Sequence, residues 1–572
     1  GAPPDGYGDV ATAYPSELRP DGLYVLLPAL DEDTTLMDQM VDVMTDWGVN
    51  VVFGMVGHSN LGLADAMRRA EADGRLRYYG IRHEGAGAFA ASAYGKLTGT
   101  PAACFAIAGP GATNLLTGLW DAKVDRAPIL ALTGQVQTQV TGPGAFQEIP
   151  TAEAFNAVAA FSQTVLAQEN AAELMALAIK HATVERDVAH LIFPDDVQNL
   201  QGLESPPAKP KEGRIAPAAI VPAHSELARA IALLRAADHP VIIVGNGARP
   251  HRAEIIALAE RIDAPIINTF KAKGTVADDH PLACGTLGRS GIPVASAIMG
   301  KSDCLLVLGA SFSNHTGISA KKTTIQVDFD RMALGRFHNI DVPLWGEIGR
   351  TVRTLTDALP EVSRPHVVAD VAARWSRWDA EKDRRAGLTD DQGRMHPARL
   401  FNVLSDLIPS DGVIAVDVGN NTYAFGHYFT SRGDQDVLMS GYLGSIGFAL
   451  PAALGAWAAT GATRKVVSIS GDGGLGQYLA DFTTAVKYEM DITHIVLNNN
   501  ELAKISREQV GAMLPVWQTS LVNPDFGAFA DLCGGSGFRV DHPEELESTL
   551  RTALAVEGGP SLVEVTTAGR WV

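Results

Sequence analysis

Short apolar runs rich in β-branched residues, bounded by glycine or proline, alternate along this chain with segments of helical period. Residues 51–55, 102–107 and 129–132 are such runs in a first block. Residues 241–244, 304–308 and 324–327 form a second set, and 413–416, 466–469, 492–497 and 561–566 a third. Between them, residues 34–47 (apolar at Leu36, Met40, Val43 and Met44), 252–262, 443–457 and 479–488 carry helical spacing. Continuous apolar strands separated by helices define parallel sheets covered on both faces. The expected fold class is therefore α/β, with three doubly wound parallel-sheet domains. Pro206, Pro207, Pro210, Pro217 and Pro222, set among Lys and Glu, mark a linker after the first block. A polar stretch, residues 374–395, leads into the third. The expected divisions are an N-terminal extension, 1–31, and domains at 32–206, 214–362 and 395–567.

Composition narrows the partners. Hydrophobic residues make up 46% and charged residues 19% of the 572 positions, as in a soluble protein with large cores. A formal net charge of -19 disfavours a nucleic-acid backbone or an anionic membrane as partner. No apolar stretch is long enough for a transmembrane helix, and the Pro- and Gly-rich start lacks a signal-peptide pattern. Cys104, Cys284, Cys304 and Cys533 are far apart with no CxxC pair. They are expected to be buried thiols of a cytoplasmic protein, with neither disulfide framework nor zinc site.

One motif carries chemistry. A strand at 465–470 runs into Gly471-Asp472-Gly473-Gly474, and a helix-like segment follows. Small residues there let backbone N–H groups approach an anion. An aspartate among them makes sense when a cation lies between carboxylate and phosphate, and Mg²⁺ is the usual bridge. Asn498-Asn499-Asn500 ends the next strand, and neighbouring parallel strands place both loops at one sheet edge.

GDG followed some two dozen residues later by NN resembles the fingerprint of thiamine-diphosphate enzymes. The resemblance implies Asp472 and Asn499 as Mg²⁺ ligands and a backbone carbonyl from Glu501. Ile81-Arg82-His83-Glu84 resembles the family's RHE segment. Glu84 would then hydrogen-bond N1′ of the aminopyrimidine and favour its imino tautomer. Ala108-Gly109-Pro110-Gly111-Ala112-Thr113-Asn114 is similar to the family's GPG turn. Gly144-Ala145-Phe146-Gln147-Glu148 is similar to its FQE segment, with Phe146 beside the thiazolium and Gln147 on the substrate-derived group. In Gly444-Ser445-Ile446-Gly447, Ile446 would be the wedge that bends the cofactor. The plainer alternatives are a generic phosphate loop, a solvated helix cap at Glu84, and core packing for Phe146 and Ile446.

The resemblance runs from about residue 33 to 566, in the order pyrimidine-binding, central, diphosphate-binding domain. It comes nearest to the FAD-dependent pyruvate oxidase group, beside the acetolactate synthases. Residues 499–509 resemble an oxidase segment ending in IKDEQ, which puts Glu508 where those enzymes carry an active-site glutamate. Lys504 departs from the aromatic residue found there in oxidases. In the central domain, Gly245-Asn246-Gly247-Ala248-Arg249, the 270–274 turn, Leu287-Gly288-Arg289, residues 308–312 and residues 326–330 resemble flavin-binding segments. Gly245, Gly247, Arg289 and Asp328 or Asp330 are the candidates there.

The function this implies is decarboxylation of a 2-keto acid, pyruvate first, with thiamine diphosphate, Mg²⁺ and FAD, and electron transfer to the flavin. An acetolactate synthase-like carboligase with structural flavin is the alternative. A nicotinamide enzyme built on Gly245-x-Gly247 leaves GDG…NN unexplained. The family also implies a homodimer or homotetramer with sites between subunits. His58 is either a proton donor or a turn residue, and His83 orients its loop. His427, in the loop after Asn420-Asn421, is a candidate to line the pocket.

Overall fold

The structure, a computed structural model, describes residues 34–204 and 209–569. The expected 1–31 extension lies outside the described residues. Three parallel sheets of six strands each account for the alternating pattern. The first comprises β1 (Val51–Gly54), β2 (Arg77–Gly80), β3 (Ala102–Ala106), β4 (Ile129–Gln135), β5 (Phe161–Thr164) and β6 (Val188–Pro194), in the order β2-β1-β3-β4-β6-β5. The second holds β7 (Pro240–Val244), β8 (Ile266–Asn268), β9 (Ala283–Thr286), β10 (Cys304–Leu308), β11 (Thr323–Asp328) and β12 (Val342–Trp345), ordered β12-β11-β10-β7-β8-β9. The third holds β13 (Val413–Val416), β14 (Asp436–Met439), β15 (Val466–Gly471), β16 (Ile492–Asn498), β17 (Ser536–Val540) and β18 (Ser561–Thr566), ordered β14-β13-β15-β16-β18-β17.

The central strands are the buried apolar runs of the sequence, with β3, β4, β7, β10 and β13 buried at every position. Edge strands such as β2 (RYYG), β5 (FSQT) and β17 (SGFRV) are half-exposed and carry no such run, which hides them from an apolar-pattern reading. Helices cover both faces.

Four expectations need correction. The polar stretch before the third block is mostly helix: Pro365–Ala386 spans 22 residues and buries Val367, Val371 and Trp378. Trp378 stacks on Tyr428 at 6.3 Å, and Arg385 lies over the Trp378 ring and donates to the Tyr428 hydroxyl at 2.9 Å. The helix expected at 443–457 begins only at Ala449, because Gly444 (φ 68°) and Gly447 (φ 92°) hold a left-handed turn before it. His427 sits on the helix Asn420–Tyr428, not in a loop. Cys533 is only half-buried, unlike Cys104, Cys284 and Cys304.

One turn ties the three blocks together. Lys271 and Lys273 flank Ala272 after β8. Lys271 Nζ lies 2.6 Å from Asp125 of the first block. Lys96 meets both Asp121 (2.6 Å) and Asp125 (2.9 Å), with both carboxylates fully buried. Asp125 also accepts the Gly441 N–H of the third block at 3.0 Å. Lys273, 2% exposed, pairs with Asp278 at 3.1 Å. Asp278 in turn accepts the Ser431 N–H (2.8 Å) and hydroxyl (3.0 Å) from the third block. A buried charge is tolerated when it is paired and hydrogen-bonded, as here.

Candidate active site

In the first and third sheets the strand order reverses beside the first strand of each set, and ligands of such sheets bind outside the carboxyl ends of the strands at that point. β15 and β16 pair through Gly471 opposite Leu497, so the two motif loops leave the same edge. Asp472 is 3% exposed. Its carboxylate accepts the Gly473 N–H at 3.0 Å and the Asn523 amide at 2.8 Å. The same amide nitrogen reaches Asn498 Oδ1 and Asn500 Oδ1, each at 3.1 Å. Burial pushes the Asp472 carboxyl above its ordinary range. A buried carboxylate with converging amide oxygens is the donor chemistry of a hard divalent cation. Asn499 stands in this loop with its Oδ1 on the Glu501 N–H at 3.1 Å.

Asn523 was not found from the sequence. It lies 51 positions from Asp472 and belongs to no motif. Asp417, at the end of β13, was also missed. It is 1% exposed. Burial pushes its carboxyl up to about 7, against the opposing pull of backbone N–H donors at Val418 and Gly447.

Ile446 is 37% exposed between the two left-handed glycines. Its Cδ1 lies 3.8 Å from the place a Cβ would take at Gly473. It is therefore not sealed in the core. A Cβ at Gly473 would come 2.6 Å from Leu502 Cδ2, so that side chain would have to turn aside.

On the first sheet, Glu84 opens the helix Glu84–Thr98 and is 7% exposed, so it is not a solvated cap. Its Oε2 accepts from the Asn114 amide at 2.9 Å. His83 caps the helix, its Nδ1 accepting the Gly85 N–H at 3.0 Å, which is the loop-orienting part expected of it. The third block braces this turn. Asp481 accepts the Arg82 N–H at 2.8 Å, Tyr488 the Gly80 N–H at 2.6 Å, and the Tyr478 ring meets His83 edge-on at 5.3 Å. Among the described residues, no hydrogen bond joins the Glu84–Asn114 pair to the Asp472–Asn523 group.

The loop after β4 is also at this edge. Glu148 accepts N–H groups from Gly142 (2.5 Å), Gly144 (2.9 Å) and Ala145 (2.8 Å). Those bonds hold its carboxyl below the ordinary glutamate range. The strapped loop pushes Phe146 outward to 82% exposure, stacked on His58 with ring centroids 6.4 Å apart. Core packing of Phe146 is thereby excluded. Gln147 adopts φ 65°, and its buried Oε1 has no hydrogen-bond partner among the described residues.

Glu508 is exposed on the helix Ala503–Gly511 and ion-paired with Lys504, which holds its carboxyl low. Lys504 Nζ also lies 5.2 Å from the Tyr423 ring centre.

In the second sheet the order is that of dinucleotide-binding folds, with β7 and β10 flanking the reversal. Gly245 and Gly247 follow β7. A Cβ on Gly245 would collide with the Gly309 carbonyl, and one on Gly247 would come 3.2 Å from Gly309 Cα. Packing between the loops after β7 and β10 therefore requires Gly245 in its own right and leaves little room at Gly247. Arg289 is exposed, anchored through its N–H to His315 O at 3.0 Å. Asp330 is ion-paired with Arg126 of the first block. Asp328 accepts the Asp330 N–H at 2.9 Å, and burial raises its carboxyl.

Two like-ordered sheets, one presenting a buried glutamate and the other an oxygen cluster beside small residues, define a cofactor-dependent α/β enzyme. The chain belongs to the thiamine pyrophosphate enzyme family. Its N-terminal TPP binding domain matches residues 34–155, its central domain 227–355 and its C-terminal TPP binding domain 417–565. The chain is 32% identical over 521 residues to the putative thiamine pyrophosphate-containing protein YdaP of Bacillus subtilis, covering 90% of this chain and 88% of that one. It is 31% identical to the acetolactate synthase isozyme 2 large subunit of Escherichia coli, covering 92% and 94%. To the pyruvate oxidase of Lactiplantibacillus plantarum it is 28% identical, covering 93% and 88%. Among the described residues no helix is long and apolar enough to cross a membrane.

Proposed function

We propose that this chain decarboxylates a 2-keto acid, pyruvate first among them, using thiamine diphosphate held through Mg²⁺, and passes the electrons to FAD. The observation that carries this reading is that one chain holds both a buried glutamate, Glu84, at the edge of one sheet and the Asp472 oxygen cluster at the like edge of another. When bound, thiamine diphosphate supplies the electron sink that lets CO₂ leave, and flavin accepts two electrons.

The residues divide the work. Asp472, Asn499 and the Glu501 carbonyl hold the cation, and residues 471–474 receive the diphosphate. Ile446 supports the bend of the cofactor. Glu84, oriented by Asn114, holds a proton at the aminopyrimidine N1′. Phe146 and Gln147 face the substrate, with His58 behind the phenyl ring. Gly245, Gly247, Arg289 and Asp328 are the flavin-side residues. The strand order of the second sheet suits a dinucleotide, and Asp330, engaged with Arg126, leaves Asp328 as the acid at the end of β11. Assembly as a dimer or tetramer completes the site. Phe146 (82%), Trp517 (72%) and Met513 (94%) are too exposed for a finished surface and suit cover by a second copy.

The carboligase reading has its own support. Lys504 occupies Glu508 in an ion pair, which withdraws the residue the oxidase reading would use, and an acetolactate synthase of similar identity covers as much of the chain.

The test mixes protein loaded with Mg²⁺ and thiamine diphosphate with pyruvate under anaerobic conditions and follows the visible spectrum. A yellow protein that bleaches supports the oxidase. One that stays yellow while CO₂ and a C–C coupled product accumulate supports the carboligase. A colourless protein removes flavin from the proposal.

A further inference from the structure

The loop after β13 holds a side chain that touches both lips of the cofactor crevice. Asp417 Oδ1 accepts the N–H groups of Val418 at 2.7 Å and Gly447 at 2.9 Å. Oδ2 faces Gly474, where a built Cβ would lie 2.5 Å away. Gly447 follows Ile446 directly, and Gly474 closes the turn that carries Asp472. One buried carboxylate is thus in contact with the wedge turn and the diphosphate turn. Its own backbone is anchored, because the Asp417 carbonyl accepts the Asn421 amide (2.8 Å) and the Thr422 hydroxyl (2.5 Å) at the start of the helix Asn420–Tyr428.

We propose that Asp417 is a positioning residue that sets the gap between the Ile446 turn and the Gly471–Gly474 turn, and with it the fit of thiamine diphosphate. The proposal rests on the functional reading above. The physical reason is twofold. Gly447 stands at φ 92° before the helix Ala449–Thr460, and its N–H has this carboxylate as acceptor. Without Asp417, that donor is left buried and unsatisfied, and the space beside Gly474 opens. Both changes release Ile446 toward the diphosphate turn. The second glycine of the pair is accordingly explained by the carboxylate that fills the place of its side chain.

The experiment uses the full chain and measures thiamine diphosphate binding with Mg²⁺ by calorimetry for wild type, Asp417→Ala, Asp417→Asn, Gly474→Ala and the Asp417→Ala/Gly474→Ala pair. Asp417→Ala is expected to weaken binding about ten- to a hundredfold, with substrate KM unchanged at saturating cofactor. Asp417→Asn keeps the Oδ1 contacts and recovers most of the loss. Gly474→Ala drives a methyl against Oδ2 and weakens binding. In the double variant the methyl enters the vacated space, so binding is tighter than the two single losses predict. A purely structural residue would lower Tm without that compensation. If Asp417→Ala does not fold, Asp417→Asn and Gly474→Ala decide: loss in the second with near-recovery in the first supports the brace. Wild-type affinity in Asp417→Ala or in Gly474→Ala, or additive losses in the double variant, overturns it. A wild-type chain that binds no thiamine diphosphate removes the functional reading itself, and the brace's role with it.

Discussion

The first and third sheets share one strand order, yet their carboxyl edges carry opposite chemistry. The first edge offers one buried carboxylate, Glu84, with exposed apolar residues such as Phe146. The third offers the buried oxygens of Asp472 and Asn498, bridged by the Asn523 amide nitrogen, beside the small residues 471–474. The topology positions a crevice in both, and the loops decide what each crevice holds. The second sheet sharpens the point. Its strands run in a different order, and its edge glycines are spent on packing one loop against another.

The largest expected break in this comparison is at Glu84. Glu84→Gln keeps shape and loses the charge, so turnover should fall on the order of a hundredfold or more, while thermal melting and thiamine diphosphate binding stay close to wild type. Full turnover, followed as CO₂ release, would return Glu84 to a structural part. A smaller effect is expected at the same edge from Glu148→Ala. Loss of the carboxylate that accepts three backbone N–H groups frees the loop that presents Phe146. kcat/KM should drop roughly tenfold, with Tm nearly unchanged because the strapped loop lies at the surface. An equal loss in Glu148→Gln would show that charge, not strapping, is at stake.

A separate test, of stability and not of turnover, probes what the two sheets have in common. Each buries a histidine inside the sheet: His190 between Thr133 and Ser162, and His494 between Ser468 and Ser470. Burial lowers both to about 3, from an ordinary value of 6.5. The unfolded chain therefore takes up protons that the folded chain refuses between those values. Stability is fully present above pH 6.5 and is lost as pH falls from there toward 3, by roughly 1.4 kcal/mol per pH unit for each ring. Urea titrations from pH 7.5 to 5 should show that decline, and a flat profile would mean the rings are protonated in the folded state.

The residues that could be read from the sequence were those whose partners lie close along the chain. Gly471-Asp472-Gly473-Gly474 and the asparagine run each follow a buried strand, so motif and position arrive together. Glu84 was legible through its neighbours Arg82 and His83. Asp417 and Asn523 were not, because their partners come from distant segments and from backbone N–H groups that leave no residue pattern. The same reason hid the edge strands, whose half-exposed residues carry no apolar run. The second half of the helix Pro365–Ala386 was read as part of a polar stretch, 374–395, because its only buried apolar residue there is Trp378.

The turn bearing Lys271 and Lys273 has a consequence for building hybrids of this enzyme. Lys271 is committed to Asp125 of one block, while Lys273 holds the Asp278 that docks Ser431 of another. A central block transplanted from a relative must present a cation to Asp125 of the first block and a carboxylate to Ser431 of the third, since a buried charge left alone costs about 3–5 kcal/mol. The three blocks are therefore exchangeable only as a matched set at this junction, however independent their sheets look.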